Sequence, residues 1–182
     1  MCWNNENRFQ TGIFSLRTRR LGTVAEIMIK KLFGFSNALN KYHDLYNSTT
    51  NERIEVKFST VTRKNEAEIR EDNVIAQCIE ANELSKRVIS LNEVSTETFD
   101  CNIQQVKTTQ FDILYYGLFF YDCVQIYQIR STDVTSIQGW SDKQHAGNVG
   151  EGQFHIKNST FASHQKYLIR QLSYKELYKI LK

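Results

Sequence analysis

Proline is absent from this chain, and with it goes the usual signature of a stiff linker between domains. The four cysteines, Cys2, Cys78, Cys101 and Cys123, lie far apart. They form no paired ligand spacing, so neither a zinc site nor a disulfide framework is indicated, and a reducing cytoplasm is the simplest home. The four histidines, His43, His145, His155 and His164, share no helical metal-binding spacing, which speaks against a zinc enzyme. No glycine-rich phosphate loop, nucleophile elbow or dinucleotide fingerprint occurs. Long apolar runs are missing too: the aromatic stretch at 115–121 is too short to cross a bilayer, and the N-terminus lacks the layout of a signal peptide. A soluble protein with no membrane partner is therefore expected, and no internal repeat divides it.

What remains is ordinary in bulk. A chain of 182 residues with 41% hydrophobic and 24% charged residues is long enough to bury a real core, and one domain spanning 1–182 is expected. Lys and Arg number 23 against 20 Asp and Glu, giving +3 and a pI near 8.6. That mild basicity is compatible with a polyanionic partner.

The informative stretch is Tyr42-His43-Asp44-Leu45, then a polar turn, then Arg53-Ile54-Glu55-Val56-Lys57-Phe58. As a strand, the second half sends Arg53, Glu55 and Lys57 to one face and Ile54, Val56 and Phe58 to the other. The turn at 47–51 is rich in residues that bond their own backbone, so an antiparallel hairpin is predicted, bringing Asp44 toward Glu55. Two carboxylates and a lysine at one point suit a hydrolytic site: the carboxylates hold Mg²⁺, and the lysine polarises water or phosphate.

Ahead of the hairpin, residues 1–20 read as a basic, polar lead-in. Thr23-Val24-Ala25-Glu26 then reads as a capping box opening an amphipathic helix that Gly34 stops. Glu26 has two readings, as the capping acid or as a further group facing the acidic site. Beyond the hairpin, residues 60–65 read as a polar exit. A helix is predicted over roughly 66–84, with Ile69, Val74, Ile75, Cys78 and Ile79 among its apolar positions, and a short helix over 97–107. The segments 111–121 and 124–129 read as a hairpin of long strands, the first buried on both faces and central in its sheet. Gly117 within it marks a bulge or a close approach. The tail reads as closing helices over 159–182, with a second capping box at Ser173.

Between 138 and 157 the character changes. Lys143, Gln144, His145, Asn148, Glu151 and Gln153 stand among three glycines, Gly147, Gly150 and Gly152. Lysine suits guanine O6 and N7, asparagine and glutamine suit adenine, and glutamate accepts from cytosine N4. Base readout by this segment is one reading; a plain surface loop is the other.

The order of a helix with Glu26, a strand with Asp44, a strand with Glu55-Val56-Lys57, a helix and further strands resembles the PD-(D/E)xK nuclease superfamily and, within it, the type II restriction endonucleases. Asp44 matches the first metal-binding aspartate, Glu55 the second acidic ligand and Lys57 the catalytic lysine; Glu26 stands where many members carry an acid on the first helix. His43 departs from the pattern by replacing the proline of the motif name. The match covers residues 22–58, with the later strands alike in order. The resemblance implies an α/β fold with a restriction-endonuclease-like core, a central mixed sheet flanked by helices and a catalytic core over about 22–130. It implies Mg²⁺ held by Asp44, Glu55 and the carbonyl of Val56, with Lys57 orienting or deprotonating the attacking water. The substrate would be double-stranded DNA, cut by a homodimer that supplies one site per strand. A structure-specific nuclease, a non-catalytic DNA-binding protein of the same fold and an unrelated interaction module are the alternatives.

Overall fold

The computed structural model describes residues 5–64, 67–143 and 150–182. A central sheet of six strands runs in the order Ser36–Asn37 (β1), Leu45–Asn47 (β2), Glu52–Thr60 (β3), Ile113–Phe119 (β6), Cys123–Arg130 (β7) and Leu168–Ser173 (β10). Only β3 and β6 run parallel; every other pair is antiparallel, so the sheet is mixed. A second sheet orders Thr62–Arg63 (β4), Phe99–Val106 (β5), Gly152–Lys157 (β9) and Trp140–Ser141 (β8).

β6 is central and buried at every residue, as its unbroken Ile-Leu-Tyr-Tyr-Gly-Leu-Phe run requires. Its side chains part by alternation. Ile113 and Tyr115 enter a core shared with the helices Asn5–Phe14 (α1), Thr18–Phe33 (α2) and Tyr174–Leu181 (α7). Leu114, Tyr116 and Leu118 enter a second core against β5, β9, the short helix Ser131–Val134 (α5) and the helix Asn158–His164 (α6). The chain is thus α/β, with a mixed central sheet and helices on both of its faces; the small second sheet adds a layer on one of them.

α2 carries the site's fourth side chain, and its own sequence sets how it lies. Leu21, Ala25, Met28 and Ile29 are buried at helical spacing, the three larger side chains each adding roughly 1.5–3 kcal/mol on leaving water. Gly34 ends the helix in a left-handed conformation, φ 72°, donating its N–H to Lys30 at 2.9 Å. Gly117 answers to close approach: it faces Phe58 across the parallel pair, and a Cβ there would fall inside the Phe58 ring.

Several expectations are corrected. α2 starts at Thr18 with Arg17 ahead of it. Thr23 is therefore no cap; its hydroxyl donates back to the Arg19 carbonyl inside the helix. The lead-in holds α1, which buries Ile13 and Phe14. The exit from β3 is β4, and 97–107 holds the strand β5. The helix expected over 66–84 is two short ones, Val74–Ala81 (α3) and Leu84–Arg87 (α4). The tail is not all helix, because β10 lies between α6 and α7 as the edge strand beside β7. Ser173 does cap α7, with Glu176 returning the bond. Among the described residues no helix is long and apolar enough to cross a membrane.

Candidate active site

The hairpin forms as the alternation predicts: Leu45 pairs with Ile54 and Tyr46 with Arg53. Ile54 and Val56 are buried in the core beneath α2, which turns Glu55 and Lys57 to the opposite face. There the Lys57 Nζ lies 2.5 Å from Glu55 Oε1. Asp44 stands just ahead of β2, and its Oδ2 accepts the Val56 N–H at 2.8 Å. In an extended strand the N–H and C=O of one residue leave on the same edge. The Val56 carbonyl therefore points to the edge that Asp44 occupies, where β2 has already ended.

Glu26, in the third turn of α2, lies near enough for its charge to couple with those of Asp44, Glu55 and Lys57. Burial raises its carboxyl, the Asp44 charge raises it further, and Lys57 opposes both. Of its two readings, the structure supports the one facing the acidic group. Burial pushes the Glu55 carboxyl up to about 6; Lys57 opposes this, while Asp44 and Glu26 add to it. Burial alone would lower Lys57, but Glu55, Asp44 and Glu26 together hold its ammonium above the usual lysine range. Three acids and one base therefore share one partly desolvated place, and ionising all three acids leaves it with excess negative charge.

That charge balance fits a hard divalent cation, which takes oxygen ligands. Among the described residues, no three His, Cys, Asp or Glu side chains form a ready-made cage. Magnesium asks for less, since it keeps several waters and binds through one or two carboxylates. Asp44 has Oδ1 and Glu55 has Oε2 beyond the bonds above, and the Val56 carbonyl lies on the same edge.

The group opens into a cleft of about 190 Å³, lined by Asp44, Glu55 and Lys57 together with Lys41, Lys107 and Gln110. Gln105 also lines it and holds a left-handed φ of 58°. The register of β5 against β9 shifts between Ile103 and Val106, so Gln105 sits on a bulge that redirects the strand at the rim. Lys41, Lys107 and Gln110 escaped the sequence reading, because only the non-local pairing of β5 brings two of them here. Their one local signal is the Gln104-Gln105 pair, which interrupts an alternating strand.

His43 lines the cleft too, and its buried Nδ1 has no hydrogen-bond partner among the described residues. Burial, with the Arg53 charge adding to it, holds the imidazole below its usual range. Arg53 does not enter the site. It forks onto Asp112, with Nη2 to Oδ1 at 2.8 Å and Nε to Oδ2 at 3.0 Å, and so ties the start of β3 to the approach of β6.

The segment expected to read bases is only partly described. Gln144, His145 and Asn148 lie outside the described residues. Lys143 is exposed, whereas Gln153 accepts from Asn102 at 3.1 Å and donates to the Lys143 carbonyl at 3.3 Å. Glu151 pairs with Lys107 at 2.9 Å. Glu151 and Gln153 are thus engaged within the protein, and Glu151 reaches the cleft through Lys107.

No protein-family model, curated protein or solved structure matches this chain.

Proposed function

We propose that the chain is a type II restriction endonuclease of the PD-(D/E)xK kind, a Mg²⁺-dependent enzyme that hydrolyses phosphodiester bonds in double-stranded DNA at a specific sequence. The observation that carries this reading is the meeting of Glu26, Asp44, Glu55 and Lys57 at one open strand edge, where the acids raise one another's affinity for positive charge. Asp44, Glu55 and the Val56 carbonyl would hold Mg²⁺, which supplies a water of lowered pKa and neutralises charge on the scissile phosphate.

The chain's own residues do the rest. Lys57, held protonated, is poorly suited to take a proton from water; it hydrogen-bonds the attacking water or a phosphate oxygen and offsets charge there. Glu55 keeps the ammonium in place, and the Asp44–Val56 bond keeps Glu55 and Asp44 at a fixed spacing. Lys41 and Lys107 at the cleft rim attract the flanking phosphates. Water attacks the phosphorus in line as the bond to the 3′ oxygen breaks. The water gives up a proton to solvent and the 3′ oxygen takes one from solvent, leaving a 5′ phosphate and a 3′ hydroxyl, and a second copy cuts the other strand.

The test is to incubate the protein with unmethylated plasmid and phage DNA, with Mg²⁺ or with EDTA, beside an Asp44→Ala/Lys57→Ala variant. Discrete fragments that need Mg²⁺ and vanish in the variant are expected. Intact DNA throughout sinks the reading, and cutting of branched DNA alone replaces it with a structure-specific nuclease.

A further inference from the structure

His43 forms part of the cleft wall beside Asp44 and is only 8% exposed. Burying an imidazole costs free energy unless its ring nitrogens are bonded, and no described residue bonds Nδ1. The backbone that carries the ring is held on both sides. The Asn40 side chain accepts the Tyr42 N–H at 2.9 Å. Asp44 donates its own N–H to the Ile54 carbonyl at 3.1 Å and accepts the Val56 N–H through Oδ2. Arg53 and Asp112, whose charges reach the ring, are committed elsewhere: they bond each other, and Arg53 also donates to the Thr109 carbonyl. Nδ1 is thus shut away from solvent, which leaves Nε2 as the nitrogen that can serve the cleft.

The surroundings choose where the ring proton sits. The cleft holds the acceptors Asp44 and Glu55, so a proton on Nε2 can be bonded there, whereas a proton on Nδ1 is buried and unpaired. The imidazolium carries the Nε2 proton too, so the donor is present in either charge state. Once the two carboxylates hold the metal, the acceptor left for it is a phosphate oxygen. We propose that His43, standing where the PD-(D/E)xK pattern has a proline with nothing to donate, gives its Nε2–H to a non-bridging oxygen of the phosphate that is cut. Lys41 and Lys107 attract that phosphate by charge alone. A hydrogen bond from a ring on a fixed backbone adds direction, and so keeps the phosphorus in line with the attacking water. The proposal rests on the nuclease reading for the identity of the ligand as a DNA phosphodiester.

Two amides tell the ring nitrogens apart: glutamine places its NH₂ near the position of Nε2, asparagine near that of Nδ1. His43→Gln and His43→Asn are compared with the native chain for single-turnover cleavage of plasmid DNA with Mg²⁺, their folding checked by melting temperature and circular dichroism. His43→Gln should stay within about 3-fold of the native rate, and His43→Asn should lose at least about 10-fold at the same melting temperature, as expected for one hydrogen bond to a charged oxygen. Equal rates for the two variants, or asparagine the faster, overturns the proposal. The native chain, labelled with ¹⁵N at histidine, gives a second measurement that no variant's folding affects. The His43 ring is followed by NMR as a ligand is added: a short duplex carrying the sequence at the fragment ends, with Ca²⁺, or inorganic phosphate with Mg²⁺ where no DNA is cut. The Nε2 proton should shift downfield and exchange more slowly with water. A proton on Nδ1 alone, or an Nε2 signal that the ligand leaves unmoved, overturns the proposal. An Nε2 proton that responds to phosphate in a chain that cuts no DNA leaves the contact standing and removes the nuclease reading; Mg²⁺-dependent cutting by two equal variants does the opposite.

Discussion

Asp44 Oδ2 accepts the backbone N–H of Val56 at 2.8 Å, so one hydrogen bond fixes the loop ahead of β2 to the strand bearing Glu55 and Lys57. The carboxylate has two duties in this arrangement, structural through Oδ2 and electrostatic through its charge. Substitutions should separate them. Asp44→Asn keeps an acceptor for the Val56 N–H and should leave stability nearly unchanged while abolishing Mg²⁺-dependent cleavage. Asp44→Ala strands a buried donor and should cost about 1–3 kcal/mol in urea unfolding as well. Equal stability of the two variants would show that the bond holds nothing.

The raised Glu55 carboxyl makes a prediction about pH. Its value of about 6 in the fold exceeds the ordinary 4.5, so the folded chain holds this proton more tightly than the unfolded one. The contribution to stability is complete below pH 4.5 and is lost as pH rises through 6, an effect worth about 2 kcal/mol. Glu55→Gln, which cannot ionise, should equal the native protein at pH 4.5 and exceed it by up to that amount at pH 8. Mg²⁺ should raise the melting temperature of the native protein at pH 8 and leave that of the variant unmoved. Glu55→Gln being the less stable protein at pH 8 would refute the assignment.

The hairpin, the β6–β7 pair, the Gly34 stop and the Ser173 cap were legible because each is written locally, in period-two alternation or in a terminal signal. Asp44, Glu55 and Lys57 could be found for the same reason, all lying within one turn's reach. β10 and β5 were not legible as strands. Leu168–Ser173 is extended because it pairs with β7, more than forty residues earlier, and Phe99–Val106 because β9 lies beside it. Glu26 could not be settled from sequence because α2 starts without a side-chain cap; Thr23 imitated a start inside a helix already under way. The apolar positions of α3 promised burial, yet among the described residues Ile75 and Ile79 stay mostly exposed.

Lys107 connects the cleft to the segment expected to meet the bases. It lines the cavity and pairs with Glu151 at 2.9 Å. If it also meets a DNA phosphate, Lys107→Ala should weaken binding about equally for cognate and unrelated duplexes and reduce the slope of log affinity against log salt by about 1. Gln153→Ala should instead lower discrimination between sequences and leave that slope alone. Fluorescence anisotropy with Ca²⁺ replacing Mg²⁺, at several salt concentrations, distinguishes the two. A slope unaffected by Lys107→Ala would place this side chain away from the DNA backbone.

Gly117 and Phe58 face each other in the parallel pair next to Lys57. The Phe58 ring covers the glycine so closely that an added methyl has no room. Gly117→Ala must therefore push Phe58 aside, and with it the strand that positions Lys57. The expected loss is about 1–3 kcal/mol, with cleavage falling further than the population of folded protein accounts for. Phe58→Ala removes the obstacle but leaves a partly lined hollow beneath α2. In that background the alanine at 117 fills space instead of colliding, so Gly117→Ala should become nearly neutral, a coupling of about 1–3 kcal/mol in a double-mutant cycle. Additive losses would mean that the glycine is needed for its backbone freedom and not for the ring that lies on it.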